Sequence, residues 1–249
     1  MSLLRAENVS RHFGSLIAVK DVSMTVEPGE LRAVIGPNGA GKTTFFNMIS
    51  GLFRPSSGRI LFDGKDVTLV PPHLRVQRGM ARTFQVTEIF PELTVRENVR
   101  VPVELAAGMR HSLWLSRGAA ARIDEQVNEL IDLGGLSAHA DRLVGELSHG
   151  DQRATEIMMS LALRPRLLLL DEPTAGMGHH ETYNMARLIH KLHRLQNLTI
   201  ILIEHDMRVI FNLADRITVL SEGSVLEEGT PDQIAASEHV QAAYLGKAA

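Results

Sequence analysis

The densest cluster of residues suited to chemistry is a glycine-rich segment that begins at Gly36. Its spacing over residues 36–43, Gly-x-x-x-x-Gly-Lys-Thr, matches loops that hold phosphate groups. Glycines let backbone N–H groups approach a phosphate, and a following helix directs its positive end at the same anion. Lys42 would neutralise the β- and γ-phosphates of a nucleotide, and the Thr43 hydroxyl would bind Mg²⁺. The residues predicted to hold the nucleotide are Gly36, Pro37, Asn38, Gly39, Ala40, Gly41, Lys42, Thr43 and Thr44.

A second chemical signal is a pair of carboxylates, Asp171 and Glu172, which directly follows the apolar run 167–170. This pattern predicts a buried strand that ends at the carboxyl edge of a sheet, where open α/β sheets bind their ligands. One carboxylate, Asp171, can hold Mg²⁺, while its neighbour Glu172 can orient or deprotonate an attacking water. Together with the glycine-rich loop, the pair indicates a nucleotide site.

The elements that must position these residues alternate between strand and helix. Apolar runs at 31–35, 167–170 and 199–203 predict parallel strands covered on both faces. A crossover helix is predicted between the last two runs, because apolar residues recur there at helical spacing. Its predicted apolar face comprises Tyr183, Ala186, Leu188, Ile189, Leu192 and Leu195. The core is therefore expected to be an α/β sheet.

The remaining segments predict other kinds of structure. Residues 16–26 alternate as in a strand, and Asp63-Gly64 separates two short strand-like runs as in a hairpin. Helical patterns dominate from about residue 90 to 163, so a helical subdomain of about 86–157 is predicted to be inserted in the α/β core. A single short helix from Pro231 to Tyr244 is expected to close the chain.

The composition excludes several classes of function. The 249 residues carry a net charge of −3, which argues against nucleic acid as the main partner. The absence of cysteine excludes disulfides, thiolate chemistry and cysteine-ligated zinc. No signal peptide is expected, and the apolar runs are shorter than the ~20 residues that span a bilayer. Any association with a membrane is therefore expected to be peripheral.

Further motifs, taken in order with the first two, resemble the ATP-binding subunit of an ABC transporter. Residues 147–153 resemble the signature of that family, 23 residues before Asp171. Gln85 lies where the family has its Q-loop glutamine, and His205 matches its switch histidine. Phe13 matches the aromatic residue that stacks on adenine, although a simple core role is the alternative. The resemblance covers essentially all of residues 1–249. It implies a P-loop NTPase (ABC ATPase) core of the α/β class, with an N-terminal antiparallel β region and the helical insert.

The resemblance also implies roles for individual residues and a set of ligands. ATP and Mg²⁺ are the expected cofactors. The catalytic residues would be Glu172, His205 and Gln85; the metal-binding residues Thr43, Gln85 and Asp171; and the nucleotide-binding residues Phe13, the loop 36–44, Ser148 and Gly150.

The same resemblance implies an assembly. Two ATPase subunits, identical or different, would form a head-to-tail dimer, with each ATP between one phosphate loop and the other subunit's signature. This dimer would drive two transmembrane permease subunits from the cytoplasmic face of the inner membrane. An importer would also need a periplasmic solute-binding protein.

Within the family, the chain is most similar to ATPase subunits of importers for branched-chain and related amino acids. The segments that carry this likeness are 81–85, 94–98, 203–207 and 243–246. Urea and amide importers, a lipopolysaccharide-export ATPase and a soluble non-transport ABC ATPase are the alternatives.

Some residues depart from the family pattern or allow two interpretations. His149, Asp151 and Gly178 differ from the residues that are usual at their positions. A hydrolytic triad of Ser148, His149 and Asp151 is rejected, because residues so close in sequence cannot align as a triad.

Four histidines are expected to lie on a solvated helix face rather than in a metal site: His179, His180, His190 and His193. An apolar set either receives a helix of a membrane subunit or packs within the insert: Ile89, Phe90 and Leu93. Trp114 is assigned no role.

Overall fold

The computed structural model describes residues 2–83, 89–108 and 117–245, and the chain forms two compact units. The first unit contains Met1–Arg82, Arg166–Glu172 and Ile189–Ala249. The second contains Thr83–Pro165 and Pro173–Leu188, so the predicted insert of about 86–157 lies within its first segment.

The first unit holds two sheets. Its antiparallel sheet has the order β2-β1-β4-β5, formed by β1 (Leu4–Phe13), β2 (Leu16–Val26), β4 (Ser57–Phe62) and β5 (Lys65–Asp66). Its mostly parallel sheet has the order β10-β9-β3-β8-β7-β6, formed by β3 (Leu31–Ile35), β6 (Met80–Arg82), β7 (Leu167–Asp171), β8 (Thr199–Ile203), β9 (Arg216–Ser221) and β10 (Ser224–Gly229). Every residue of β3, β7 and β8 is buried, as the continuous apolar runs predict.

The helices of the first unit flank these sheets. They are α1 (Lys42–Ser50), α2 (Pro72–Gln77), α7 (Met207–Leu213), α8 (Pro231–Ala236), α9 (Glu238–Leu245) and the end of α6 (His179–Gln196), which begins in the second unit. Phe45, Phe46 and Ile49 of α1 are fully buried in a cluster that includes residues of both sheets. This packing fixes α1, and with it the glycine-rich loop that precedes it.

The chain ends in two helices where the sequence predicts one. The backbone leaves helical geometry at Ser237 (φ −76°, ψ 116°), which separates α8 from α9. The Ser237 hydroxyl accepts a hydrogen bond from the Val240 N–H at 3.3 Å and donates one to Glu227. A serine at a helix N-terminus stabilises that start by satisfying a backbone donor. The prediction of an unbroken helix from Pro231 to Tyr244 is therefore wrong.

The second unit is largely helical. It contains α3 (Val95–Ala106), α4 (Arg117–Leu133), α5 (His149–Leu161), short 3₁₀ turns at Ser137–His139 and Val144–Glu146, and the start of α6. Thr94 and Glu97 form a capping box at the start of α3. The predicted apolar face of α6 is partly wrong, because Tyr183 and Leu195 are 62% and 72% exposed. Its buried side chains are Met185, Leu188, Ile189, Leu192 and His193.

Candidate nucleotide-binding site

The glycine-rich loop connects β3 to α1, and its backbone can be built only with glycine at two positions. Gly36 has φ +151°, and a Cβ there would lie 2.1 Å from the Leu220 carbonyl oxygen. Gly41 has φ +95°, and a Cβ there would lie 2.4 Å from the Ala18 carbonyl oxygen. The loop therefore packs closely against β9 and β2, and this close packing restricts its backbone to one conformation.

Lys42 lies within the loop, as the motif predicts. Its Nζ donates to the Gly36 and Pro37 carbonyl oxygens at 2.6 and 3.1 Å, and the residue is 6% exposed. Burial lowers the pKa of the Lys42 ammonium, while the nearby Glu172 and Asp171 carboxylates act to raise it. One lysine and two carboxylates therefore share one electrostatic environment at the carboxyl edge of the parallel sheet.

The two carboxylates at the end of β7 have different surroundings. Asp171 is buried, and its Oδ2 accepts a hydrogen bond from Arg82 at 2.9 Å. Glu172 has φ +47°, and its N–H donates to the Ile203 carbonyl at 2.9 Å. Its Oε1 lies 2.7 Å from His205 Nε2. Asp171 is suited to bind a cation, and Glu172 is placed to hold or accept a proton.

Phe13 offers an open aromatic surface at the end of β1. Its ring is 40% exposed and packs edge-on against Phe53, with 5.5 Å between the ring centroids. The guanidinium carbon of Arg11 lies 4.6 Å from the Phe13 ring centroid. Phe13 is therefore not a buried core residue, and an aromatic ligand can reach it.

Tyr244 of the C-terminal helix α9 lies near the phosphate loop, which the sequence motifs do not predict. Burial raises the pKa of the Tyr244 phenol, and the Gly36 backbone acts to lower it.

The signature-like segment opens α5 in the second unit. The Ser148 hydroxyl caps this helix by accepting from the Asp151 N–H at 3.2 Å. Glu181, which the motifs do not single out, accepts from the N–H groups of Gly150 and Gly178 at 3.3 and 3.2 Å. Its position in the first turn of α6, three residues after Gly178, is the only sequence signal that could have identified it.

Other predicted residues are placed as follows. Gln85 and Trp114 lie outside the described residues. Phe90 is 50% exposed in the second unit, and its N–H donates to Asn98 Oδ1 at 2.8 Å. His193 is buried beside Asp215, with 3.0 Å between Nε2 and Oδ2, so it does not lie on a solvated face as predicted.

Within the described ranges, no cluster of three or more histidine, aspartate or glutamate residues could hold a metal ion, and no helix could cross a membrane.

A phosphate loop between a buried parallel strand and a helix, with two carboxylates at the end of a nearby strand, defines a P-loop NTPase. The family model described as "ABC transporter" matches residues 19–175. A second model, "Branched-chain amino acid ATP-binding cassette transporter", matches residues 224–249. The chain therefore belongs to the ABC transporter family, as an ATP-binding subunit that hydrolyses ATP.

Individual relatives match along almost their whole length. The chain is 37% identical to the high-affinity branched-chain amino acid transport ATP-binding protein BraF of Pseudomonas aeruginosa, over 99% of this chain and 98% of that protein. It is 38% identical to LivG of Escherichia coli K12, a protein of the same description, with the same coverage. It is also 36% identical to the lipopolysaccharide export system ATP-binding protein LptB of Haemophilus influenzae, over 99% of this chain and 98% of that protein.

Solved structures of ATP-binding cassettes have the same fold as this chain. A nucleotide-free ATP-binding cassette from an ABC transporter superposes with a TM-score of 0.85 at 28% identity, over 99% of this chain and 100% of that chain. The ADP conformation of an ATP-binding cassette gives a TM-score of 0.84 at 28% identity, with the same coverage. The predicted fold class is confirmed.

Proposed function

We propose that this chain powers the uptake of branched-chain or related amino acids across the inner membrane, as the ATPase subunit of an importer. The observation that carries the proposal is the match of residues 224–249 to a model specific to branched-chain amino acid cassettes. Relatives that carry out this transport match at 37–38% identity from end to end.

In the proposed reaction, the phosphate loop binds ATP and Glu172 activates the attacking water. Lys42 and the N-terminus of α1 supply positive charge to the β- and γ-phosphates. Glu172 would take a proton from the water, and His205 is within hydrogen-bonding distance to orient that carboxylate. Gln85 is proposed to assist at the same site, and Phe13 to stack on adenine.

The residues present fit Mg²⁺, which prefers oxygen ligands. Asp171 lies at the end of β7, and its carboxylate acts to raise the pKa of Lys42 in the phosphate loop, so an acidic oxygen ligand is present near this loop. Thr43 stands in the first turn of α1, directly after Lys42. Asp171 and Thr43, with Gln85, are the residues proposed to hold the ion. Mg²⁺ would supply charge neutralisation of the transferred phosphoryl group.

We further propose that residues 1–249 form one ABC ATPase domain, with the helical subdomain of about 86–157 inserted in the α/β core. Ser148 and Gly150 lie at the start of α5, where backbone N–H groups and the helix dipole favour an anion. They are proposed to contact the ATP of a second ATPase subunit, identical or different. Two permease subunits would bind this dimer at the cytoplasmic face of the membrane, and a periplasmic solute-binding protein would deliver the solute.

Two related functions are alternatives. The 36% identity to LptB favours a lipopolysaccharide-type exporter as the second candidate. A urea or amide importer, which would use the same ATPase chemistry, is the other.

Reconstitution of the native complex tests the proposal. The tagged chain is purified from membranes with its permeases and placed in proteoliposomes, with ATP on the side of this subunit. ATP-dependent uptake of labelled leucine is expected when the solute-binding protein is added, and Glu172→Gln should abolish it. Uptake of urea without leucine, or release of lipopolysaccharide, would replace the proposal with the corresponding alternative. Co-purification with nucleic acid instead of permeases would indicate a non-transport ATPase.

A further inference from the structure

Arg82 has a buried side chain and lies in the segment 81–85, but no role follows for it from the sequence motifs. It ends β6, which pairs in parallel with β7, the strand that ends in Asp171. Its side chain is 8% exposed, and that of Asp171 is 3% exposed. Burial lowers the pKa of Arg82, while Asp171 acts to raise it.

The guanidinium of Arg82 donates hydrogen bonds to two elements. Its Nη2 donates to Asp171 Oδ2 at 2.9 Å. Its Nη1 donates to Asn47 Oδ1 at 2.6 Å and to Ser50 Oγ at 2.8 Å, both on α1. The planar group also lies over Phe46 of the same helix, with its carbon 5.9 Å from the ring centroid. Arg82 therefore ties the Asp171 carboxylate to the helix that follows the phosphate loop.

This arrangement needs the particular geometry of arginine. The guanidinium presents N–H groups in fixed, divergent directions, so one face can hold a carboxylate while another holds α1. A lysine ammonium is a single point charge and cannot reproduce both sets of contacts at these distances. A carboxylate as buried as Asp171 also requires a counter-charge, since an unpaired buried charge is strongly destabilising.

We propose that Arg82 is a positioning residue that holds Asp171 in its binding orientation before Mg²⁺ and ATP arrive. The proposal rests on the proposed function, in which Asp171 is a Mg²⁺ ligand. Residues that hydrogen-bond a metal-binding carboxylate orient it, and their loss typically weakens metal binding about 10–100-fold. Arg82 itself touches neither nucleotide nor metal in this scheme. Its effect reaches the reaction through the orientation of Asp171.

The test measures how much Mg²⁺ is needed for tight ATP binding. Fluorescent ATP is titrated onto the full chain in a Glu172→Gln background, first in EDTA and then at increasing Mg²⁺. Arg82→Met should raise the Mg²⁺ midpoint about tenfold or more, because Asp171 loses its support. Affinity in EDTA should change less than about twofold, since the phosphate loop is untouched.

Arg166→Met is the matched control. Arg166 also binds an aspartate, with 2.6 Å between its Nη1 and Asp63 Oδ2, but the two side chains are 51% and 49% exposed. Removing this exposed pair should leave the Mg²⁺ midpoint unchanged. An Arg82→Met midpoint equal to that of Arg166→Met would overturn the inference.

Asp171→Asn separates failure of this inference from failure of the proposed site. If Asp171→Asn raises the midpoint and Arg82→Met does not, Asp171 binds Mg²⁺ without help from Arg82. If Asp171→Asn has no effect, the proposed Mg²⁺ ligand is wrong and the inference falls with it.

A second variant covers the case in which Arg82→Met does not fold. The pair Asn47→Ala and Ser50→Ala removes the α1 acceptors and keeps the charge of Arg82 beside Asp171. It should raise the midpoint by a smaller factor, about threefold, because Arg82 is less firmly held. Arg82→Lys should behave like this pair rather than like the parent chain, and a midpoint unchanged in both would overturn the inference.

Discussion

His205 Nε2 lies 2.7 Å from Glu172 Oε1, although the two residues are 33 positions apart in the sequence. They follow the neighbouring parallel strands β8 and β7, whose carboxyl ends meet at one edge of the sheet. The Glu172 N–H also donates to the Ile203 carbonyl, and its φ of +47° turns the chain out of β7. The backbone and His205 together hold the carboxylate at the edge that faces the phosphate loop.

The first prediction concerns Glu172 as general base. Glu172→Gln should bind Mg²⁺-ATP with unchanged affinity and hydrolyse it at least about a hundredfold more slowly, because an amide cannot accept the proton of the water. Phosphate release by the assembled complex and binding of fluorescent ATP measure the two properties. Near-normal turnover would remove Glu172 from this role. Glu222→Gln, at the turn between β9 and β10, is the control and should keep full activity.

The Glu172–His205 pair also illustrates what the sequence could predict. Three continuous apolar runs indicated the buried strands β3, β7 and β8, and the order of strands in a doubly wound sheet places their ends together. The phosphate loop after β3 and the carboxylates after β7 could therefore be predicted from residue types, whereas the role of His205 after β8 was predicted only from the family resemblance. The break at Ser237 could not, because it depends on a hydrogen bond to Glu227 in another element.

A pH dependence is predicted for Glu181. N–H groups of Gly178 and Gly150 hold the pKa of this carboxyl below its usual value of 4.5. An acid with a lowered pKa in the folded state stabilises the fold above its unfolded pKa, and this contribution disappears as the pH falls through the folded pKa. Glu181→Gln should therefore lower the melting temperature near neutrality, and the difference from the parent chain should shrink below pH 4.5.

Melting curves of both chains across this pH range make the comparison. Glu125→Gln, which changes an exposed carboxylate on α4, is the control and should show no such pH-dependent difference. A Glu181→Gln deficit that persists unchanged well below pH 4.5 would contradict the assignment, because the loss would then be independent of ionisation.

Arg75 is predicted to be a major stabilising residue of the first unit. Its guanidinium donates to five backbone carbonyls, two of them, Met48 and Ile49, in the last turn of α1. Burial lowers its pKa to about 10, so it stays charged at neutral pH. Arg75→Met should reduce the free energy of unfolding by about 3 kcal/mol, because buried carbonyls lose their donor.

Chemical denaturation measures this loss, with Arg78→Met as the exposed control that should stay within about 0.5 kcal/mol. Equal stability of the two variants would show that water replaces Arg75.

Sequence analysis missed Arg75 and Arg82 for one physical reason. Both act through partners that are distant in sequence, and an isolated arginine carries no spacing pattern that reveals such partners. The bond from Gly150 to Glu181 is equally distant, although the bond from Gly178 is local.

A motif of contiguous residues, such as 36–43, can be recognised from the sequence. Its N–H groups belong to one loop and to the start of the helix that follows it. The hydrogen bond between Arg82 and Asp171 can be predicted only when the strand order is known, because that order places β6 beside β7.

The last prediction concerns Asp151, where the chain departs from the family signature. Its N–H donates to Ser148 Oγ at 3.2 Å, and the Ser148 hydroxyl donates back to Asp151 Oδ2 at 3.1 Å. A carboxylate in the first turn of α5 stabilises that helix by about 0.3–1 kcal/mol through the helix dipole. In the proposed dimer, the same helix start faces the γ-phosphate of the ATP held by the other subunit, and the negative charge opposes it.

Asp151→Gln should therefore have opposite effects on the isolated chain and on the dimer. The free energy of unfolding should fall by about 0.5 kcal/mol, while ATP-dependent dimerisation in a Glu172→Gln background should tighten about two- to fivefold. Denaturation and sedimentation with ATP measure the two effects, and Glu129→Gln on α4 is the control that should leave dimerisation unchanged. If dimerisation is unchanged or weaker, Asp151 does not face the phosphate. It then acts only as a cap, and the departure from the family pattern serves the stability of α5 alone.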